Sequence, residues 1–143
     1  MRSIIVVLCF VGAALALAQT ADSTKATVYV YRNSGGSGPP PNSPSAYCDE
    51  HELARMQHGR YFGVPLDAGK HSFRSTDGTS VVDIDVKAGQ TYYIRGDVVP
   101  VGGKPRGHIA LVSPEEGARE AHKLKPLGTG MVKDPNRVDI APL

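Results

Sequence analysis

The segment Gly69–Val86 constrains this chain more than any other, because its residues fit a single β-hairpin in a single register. Asp77-Gly78 is a two-residue turn pair of the type I′ class, which requires positive φ at both central positions. If Thr76 faces Thr79, then Phe73 faces Val82 and His71 faces Ile84, while Ser72 faces Asp83 and Lys70 faces Asp85. The apolar pairs then share one face and the polar pairs the other, which is what a strand pair with one buried face demands.

The rest of the sequence continues in the same style. Ala26–Arg32 carries β-branched and aromatic residues at period two and reads as a first strand. Residues 33–44 are almost wholly Gly, Ser, Pro and Asn, a composition that disfavours helix and ladder alike and predicts a mobile surface loop. Short strands are expected at Ser45–Asp49 and Leu53–Met56, with a turn over Asp49–Glu52, and again at Tyr61–Leu66, where Pro65 demands an edge or bulge position. Ala88-Gly89-Gln90, with Gly in the left-handed region, turns the chain into Thr91–Arg95, where Tyr92 and Ile94 continue the inward face. Arg106–Val112 is the last strand, with Ile109 and Leu111 on one side. Ser113-Pro114-Glu115-Glu116 is a capping box with proline at the first helical position, predicting a helix to about Lys123 with Ala118 and Ala121 inward. Pro126 closes it, and residues 128–143 show no period and are expected to be a flexible tail.

With 143 residues, 16 of them Gly and 11 Pro, the chain suits one turn-rich domain. The first residues stand apart from it. Arg2 followed by the uncharged Ile4–Leu17 and by Ala16-Leu17-Ala18 has the layout of a signal peptide over 1–18, with residues 19–25 as a linker. The apolar run is short of the roughly 20 residues a membrane helix needs, so membrane attachment is expected only if the peptide stays uncleaved. Cys9 lies inside the apolar stretch after Leu8, where a lipoprotein signal would place a small residue. Cleavage removes Arg2 and Cys9, leaving 16 − 1 = 15 basic against 14 acidic residues. Basic residues are interspersed with acidic ones, so nothing points to nucleic acid. Cys48 then stands alone in an oxidising compartment, and the fold must stand on its core.

The order of these signals resembles a bacterial family known as domain of unknown function 2846. The matching residues are Ala26-Thr27-Val28-Tyr29-Val30-Tyr31-Arg32, Tyr61-Phe62 before Leu66, Gly69-Lys70-His71, and Ala88-Gly89-Gln90-Thr91-Tyr92-Tyr93. The resemblance covers Ala26 to about Leu127 and implies exported proteins with an Ig-like or transthyretin-like fold: here, an all-β antiparallel sandwich of about seven strands over residues 26–127, with one short C-terminal helix. It departs from the pattern at Asp49-Glu50-His51, where Asp-Gly is expected, and it implies no catalytic residues.

Candidate sites are few. Cys48 is the most reactive side chain after export, a thiol able to react or to join two chains, with His51 and His58 near in sequence; its residue type equally suits burial in a strand. Cys48-Asp49-Glu50-His51-Glu52 contains metal-ligand types, but consecutive residues at a strand end point apart, so no metal site is expected. Asp83 and Asp85 share one strand face, which the hairpin register places in solvent. His71 reads as a core-edge residue opposite Ile84. Tyr29, Tyr31 and Tyr93 are expected to point away from the face of Val28, Val30, Tyr92 and Ile94, as a platform for a glycan or partner protein or as ordinary packing under the helix. Gly35-Gly36-Ser37-Gly38 opens no helix and fails as a phosphate loop. The expectation is therefore a non-catalytic module without cofactor, periplasmic or secreted, that binds an envelope protein or glycan as a monomer or Cys48-linked dimer. The alternative is a thiol- or metal-dependent activity centred on Cys48 and His51.

Overall fold

A computed structural model describes residues 24–35, 43–76 and 80–143. The signal-peptide stretch, most of the linker, the centre of the Pro-rich loop and the Asp77-Gly78-Thr79 turn lie outside the described residues.

Two sheets face each other. The larger contains β8 (Lys104–Val112), β7 (Thr91–Val101), β1 (Lys25–Arg32), β4 (Arg60–Asp67) and β9 (Lys125–Pro126), in that order. The smaller is ordered β3 (His51–Arg55), β2 (Ser45–Cys48), β5 (Gly69–Ser75) and β6 (Val81–Val86). Among the described residues this is an all-β sandwich of nine strands with one helix, α1 (Pro114–Ala121). It is not purely antiparallel, because β1 runs parallel to β7 and β4 parallel to β9.

Alternation along the strands builds the core. Val28 and Val30 of β1, Phe62 and Val64 of β4, and Ile94 of β7 meet Ala46, Cys48, Phe73, Val82, Ile84 and Val86 of the smaller sheet. The β5–β6 register is the one the hairpin rule specifies, with Phe73 opposite Val82, His71 opposite Ile84, and Asp83 and Asp85 exposed. Gly89 takes φ +77 in the following turn, but that turn carries the chain from one sheet to the other instead of closing a hairpin.

Several boundaries differ from the sequence reading. Lys25 belongs to β1, paired with Asp67, and not to a linker. β7 and β8 extend toward each other through a hairpin whose turn, Gly102-Gly103, has φ +58 and +77. Pro100 faces Pro105 there, one step from the turn, where the strands exchange no hydrogen bond and a missing N–H costs nothing. Ile109 is buried but Leu111 is 50% exposed; the smaller-sheet side meets β8 through Ser75 at Gly107 and Ser80 at Ile109. Gly63 exchanges both main-chain bonds with Asp139, so Pro65, two residues on, also directs its main chain away from β1, past the short β9.

The helix begins where the capping box places it, with Ser113 Oγ accepting from the Glu116 N–H, but it ends two residues early, at Ala121. The largest correction concerns residues 128–143, expected as a flexible tail. They form a strap across one side of the sandwich. Thr129–Met131 is a single 3₁₀ turn, Lys133 and Asp134 donate to the Leu53 carbonyl at the β3 edge, and Asp139 bridges Gly63 beside β4. Met131, Val132, Val138 and Ile140 rest on the core. The strap lacks a period because isolated bridges and scattered apolar contacts hold it, not a ladder.

Candidate functional site

The three tyrosines do leave the core face, but they do not form an open platform. Tyr31 and Tyr93 are buried with Tyr61 against Ala121 of α1, and Tyr29 is half-buried among them. Tyr29 stacks on Tyr93 at 5.6 Å between ring centres and meets Tyr61 edge-on at 6.3 Å. The Tyr31 hydroxyl donates to Glu120 at 2.5 Å, and Glu120 also receives Arg95 and Asn33. Burial, then the bond to Glu120, pushes the Tyr31 phenol up. Gly117 permits the close approach, since a Cβ there would lie 2.2 Å from Cβ and Cγ of Tyr93. These rings are a second core, the packing alternative of the sequence reading.

Cys48 is 4% exposed on the inner face of β2, and burial, followed by the neighbouring Asp49 charge, pushes its thiol up to about 12. A thiol so placed is a poor nucleophile and leaves no exposed sulfur for a Cys48-linked dimer. His51 is exposed, and His58 lies beyond β3. Among the described residues, the group of donor atoms within 4.8 Å of one another is Cys48, Asp49 and His71. The activity centred on Cys48 and His51 therefore does not find its pair.

The partner is His71 because β2 pairs with β5 as well as with β3, setting Cys48 opposite Phe73. Asp49 and Glu50 take φ +48 and +68, completing a two-residue turn without the expected glycine. That left-handed pair swings the Asp49 carboxylate back over β5. Its Oδ1 accepts from the Ser72 N–H at 2.9 Å, and its Oδ2 accepts from His71 Nδ1 at 2.6 Å. His71 Nε2 donates to the Asp67 carbonyl at 2.7 Å. Acceptors at both nitrogens favour the protonated ring. Burial opposes this charge, but the bonds to Asp49 and Asp67 outweigh it and raise the His71 pKa. Burial likewise works against the Asp49 carboxylate, and the His71 and Ser72 bonds overcome it and lower its pKa.

These three residues border a cleft of about 410 Å³ at the mouth of the sandwich, floored by Leu53 and Val64 and rimmed by Asp67 and Arg137. A separate cleft of about 460 Å³ lies where the two sheets meet near the hairpin ends, lined by Tyr47, Glu52, Arg55, Val98, Pro105 and Arg106. Ser45 Oγ donates to Glu52 at 2.6 Å and fixes that carboxylate. The Arg74 guanidinium lies 4.0 Å above the Tyr47 ring, a cation–π pair, and reaches Glu50 at 3.3 Å. Neither cleft was visible in the sequence, since each draws on strands distant along the chain.

Two sheets with a covering helix and a lacing strap define a small sandwich. The chain belongs to the family described as a protein of unknown function, DUF2846, whose model matches residues 22–106. The match takes in Cys48, Asp49, His71 and Tyr47 and ends inside β8, before α1 and the strap. No curated protein and no solved structure matches the chain.

Proposed function

We propose that this chain is an exported, non-catalytic binding module that takes an envelope protein or glycan in the cleft around Tyr47. The observation that carries the reading is the cleft itself. It is open, about 460 Å³, and combines an aromatic ring with charges of both signs, the combination of apolar surface and polar groups that ligand sites use. The burial of Cys48 supports a non-catalytic role, because a thiol pushed up to about 12 is a poor nucleophile. Export rests on Arg2, the apolar Ile4–Leu17 and Ala16-Leu17-Ala18. Among the described residues no helix is long and apolar enough to cross a membrane. The test is cross-linked capture from an envelope extract by the wild-type chain, by Y47A and R55E, and by D83N on the opposite end of the smaller sheet. Partners retained by D83N and lost by both cleft variants support the reading. Identical recovery by all four chains would sink it.

A further inference from the structure

We propose that Cys48, Asp49 and His71 form a site for a zinc-class divalent cation, with one coordination position open to the cleft beside them. Thiolate, imidazole and carboxylate are the donor types of zinc sites, and all three donor atoms lie within 4.8 Å of one another. Tetrahedral bonds to such a metal set donors about 3.2–3.7 Å apart, so the widest separation need only close by roughly 1 Å while Asp49 and His71, now hydrogen-bonded at 2.6 Å, part by somewhat less to admit the ion. Three separate features aim them. The left-handed Asp49-Glu50 turn brings Asp49 over β5, the β2–β5 pairing fixes Cys48 beside that strand, and the His71 Nε2–H bond to the Asp67 carbonyl locks the ring with Nδ1 toward the other two. A backbone carbonyl holding the far nitrogen is the usual outer partner of a metal-bound histidine.

The charges balance as well. Binding of M²⁺ releases two protons to solvent, one from the Cys48 thiol and one from Nδ1 of His71, whose lone pair turns to the metal, while Asp49 is already ionised. The product holds two anionic donors against a dication and is neutral, so the metal offsets the Asp49 charge that would otherwise oppose a Cys48 thiolate. Calcium and magnesium are disfavoured by the thiolate, and copper(I) by the carboxylate. The open position faces the cleft of about 410 Å³, which admits a water or a small anion.

Cobalt(II) tests this directly, because it occupies zinc sites and shows a thiolate-to-metal charge-transfer band. The full chain carrying C9S, so that Cys48 is the single thiol, is titrated with cobalt(II) under reducing, chelator-free conditions. The expected result is one equivalent bound with that band, lost in C48S, weakened at least roughly tenfold in H71Q and D49N as in other outer- and inner-ligand losses, and unchanged in H51Q. Absence of the band at tenfold excess metal overturns the proposal. So does a band that survives C48S, or one that H51Q removes and H71Q does not. Should C48S fail to fold by circular dichroism, D49N decides: its side chain is half exposed, and unweakened binding there refutes the site.

Discussion

Gly117 sits inside a helix, where replacing glycine by alanine ordinarily adds about 1 kcal/mol of stability. Here the sign is expected to reverse. The new Cβ of G117A would fall 2.2 Å from Cβ and Cγ of Tyr93 and 2.8 Å from its Cδ2, against an ordinary contact of 3.4–4 Å. These atoms lie at the root of a buried ring and cannot swing away, so α1 must lift by about 1 Å or more. That displacement stretches the Arg95 bonds to Glu116 and Glu120, already 3.2 and 3.3 Å, beyond hydrogen-bonding range, and weakens the Tyr31–Glu120 bond. Overpacking costs about 1–3 kcal/mol and the disrupted bonds about 1–2 kcal/mol together at this partly exposed site, less the helix gain of about 1 kcal/mol, for a net loss of about 1–4 kcal/mol. In a domain of this size the melting temperature should fall by roughly 10 °C. Two controls isolate the cause. G130A, with nothing within 4 Å, should change little, and G96A, which meets the flexible Sδ of Met56 at 2.5 Å, should cost less than G117A. Y93A should not rescue G117A, since the Tyr93 Cβ is itself one of the clashing atoms. A melting temperature for G117A equal to or above wild type would refute the reasoning.

Three further outcomes are expected. The bonds from Tyr31, Asn33 and Arg95 outweigh burial and hold Glu120 below its ordinary value, so its contribution is full above the unfolded carboxylate pKa and lost as pH falls through the folded one; wild type should shed near-ultraviolet tyrosine dichroism there and E120Q should not. Native Cys48 should react with a thiol reagent only at the rate of opening, and immediately in denaturant; a fast native reaction would contradict its burial. D139P deletes the N–H that Asp139 donates to Gly63 at 2.8 Å and should lower stability by about 1–3 kcal/mol, whereas D139A keeps that bond and should cost less, both read by thermal melts.

The strand pattern was legible wherever local residues determine it. Asp77-Gly78 with strict alternation specified every pair from Lys70–Asp85 to Phe73–Val82, and Ser113 with Glu116 marked the helix start. What escaped were features settled by distant partners. Glu50 at φ +68 carries no turn signal of its own, and Pro100 and Pro105 read as strand breakers until their facing positions are known. The outward direction of Tyr29, Tyr31 and Tyr93 followed from period two, but what covers them comes from α1, which reaches that face only after β7 and β8. His71 and Asp49 are 22 residues apart and meet only because β2 pairs out of sequence order with β5. The metal-ligand types at Cys48 and Asp49 were noted, yet the third donor lay on another strand.

The strap carries a consequence for how the chain must be made. Its bridges at Ala54 and Gly63 seal the outer strand of the smaller sheet and the flank of β4, and they come from residues 132 and 139. A polypeptide emerging N-terminus first displays both unpaired borders until residues 132–139 are available, with the parallel β1–β7 pair adding another long-range closure. Throughout that interval the growing chain offers templates for association with its neighbours. A chaperone that holds the chain until residues 132–139 arrive would matter more to the yield of this protein than the stability of the finished sandwich.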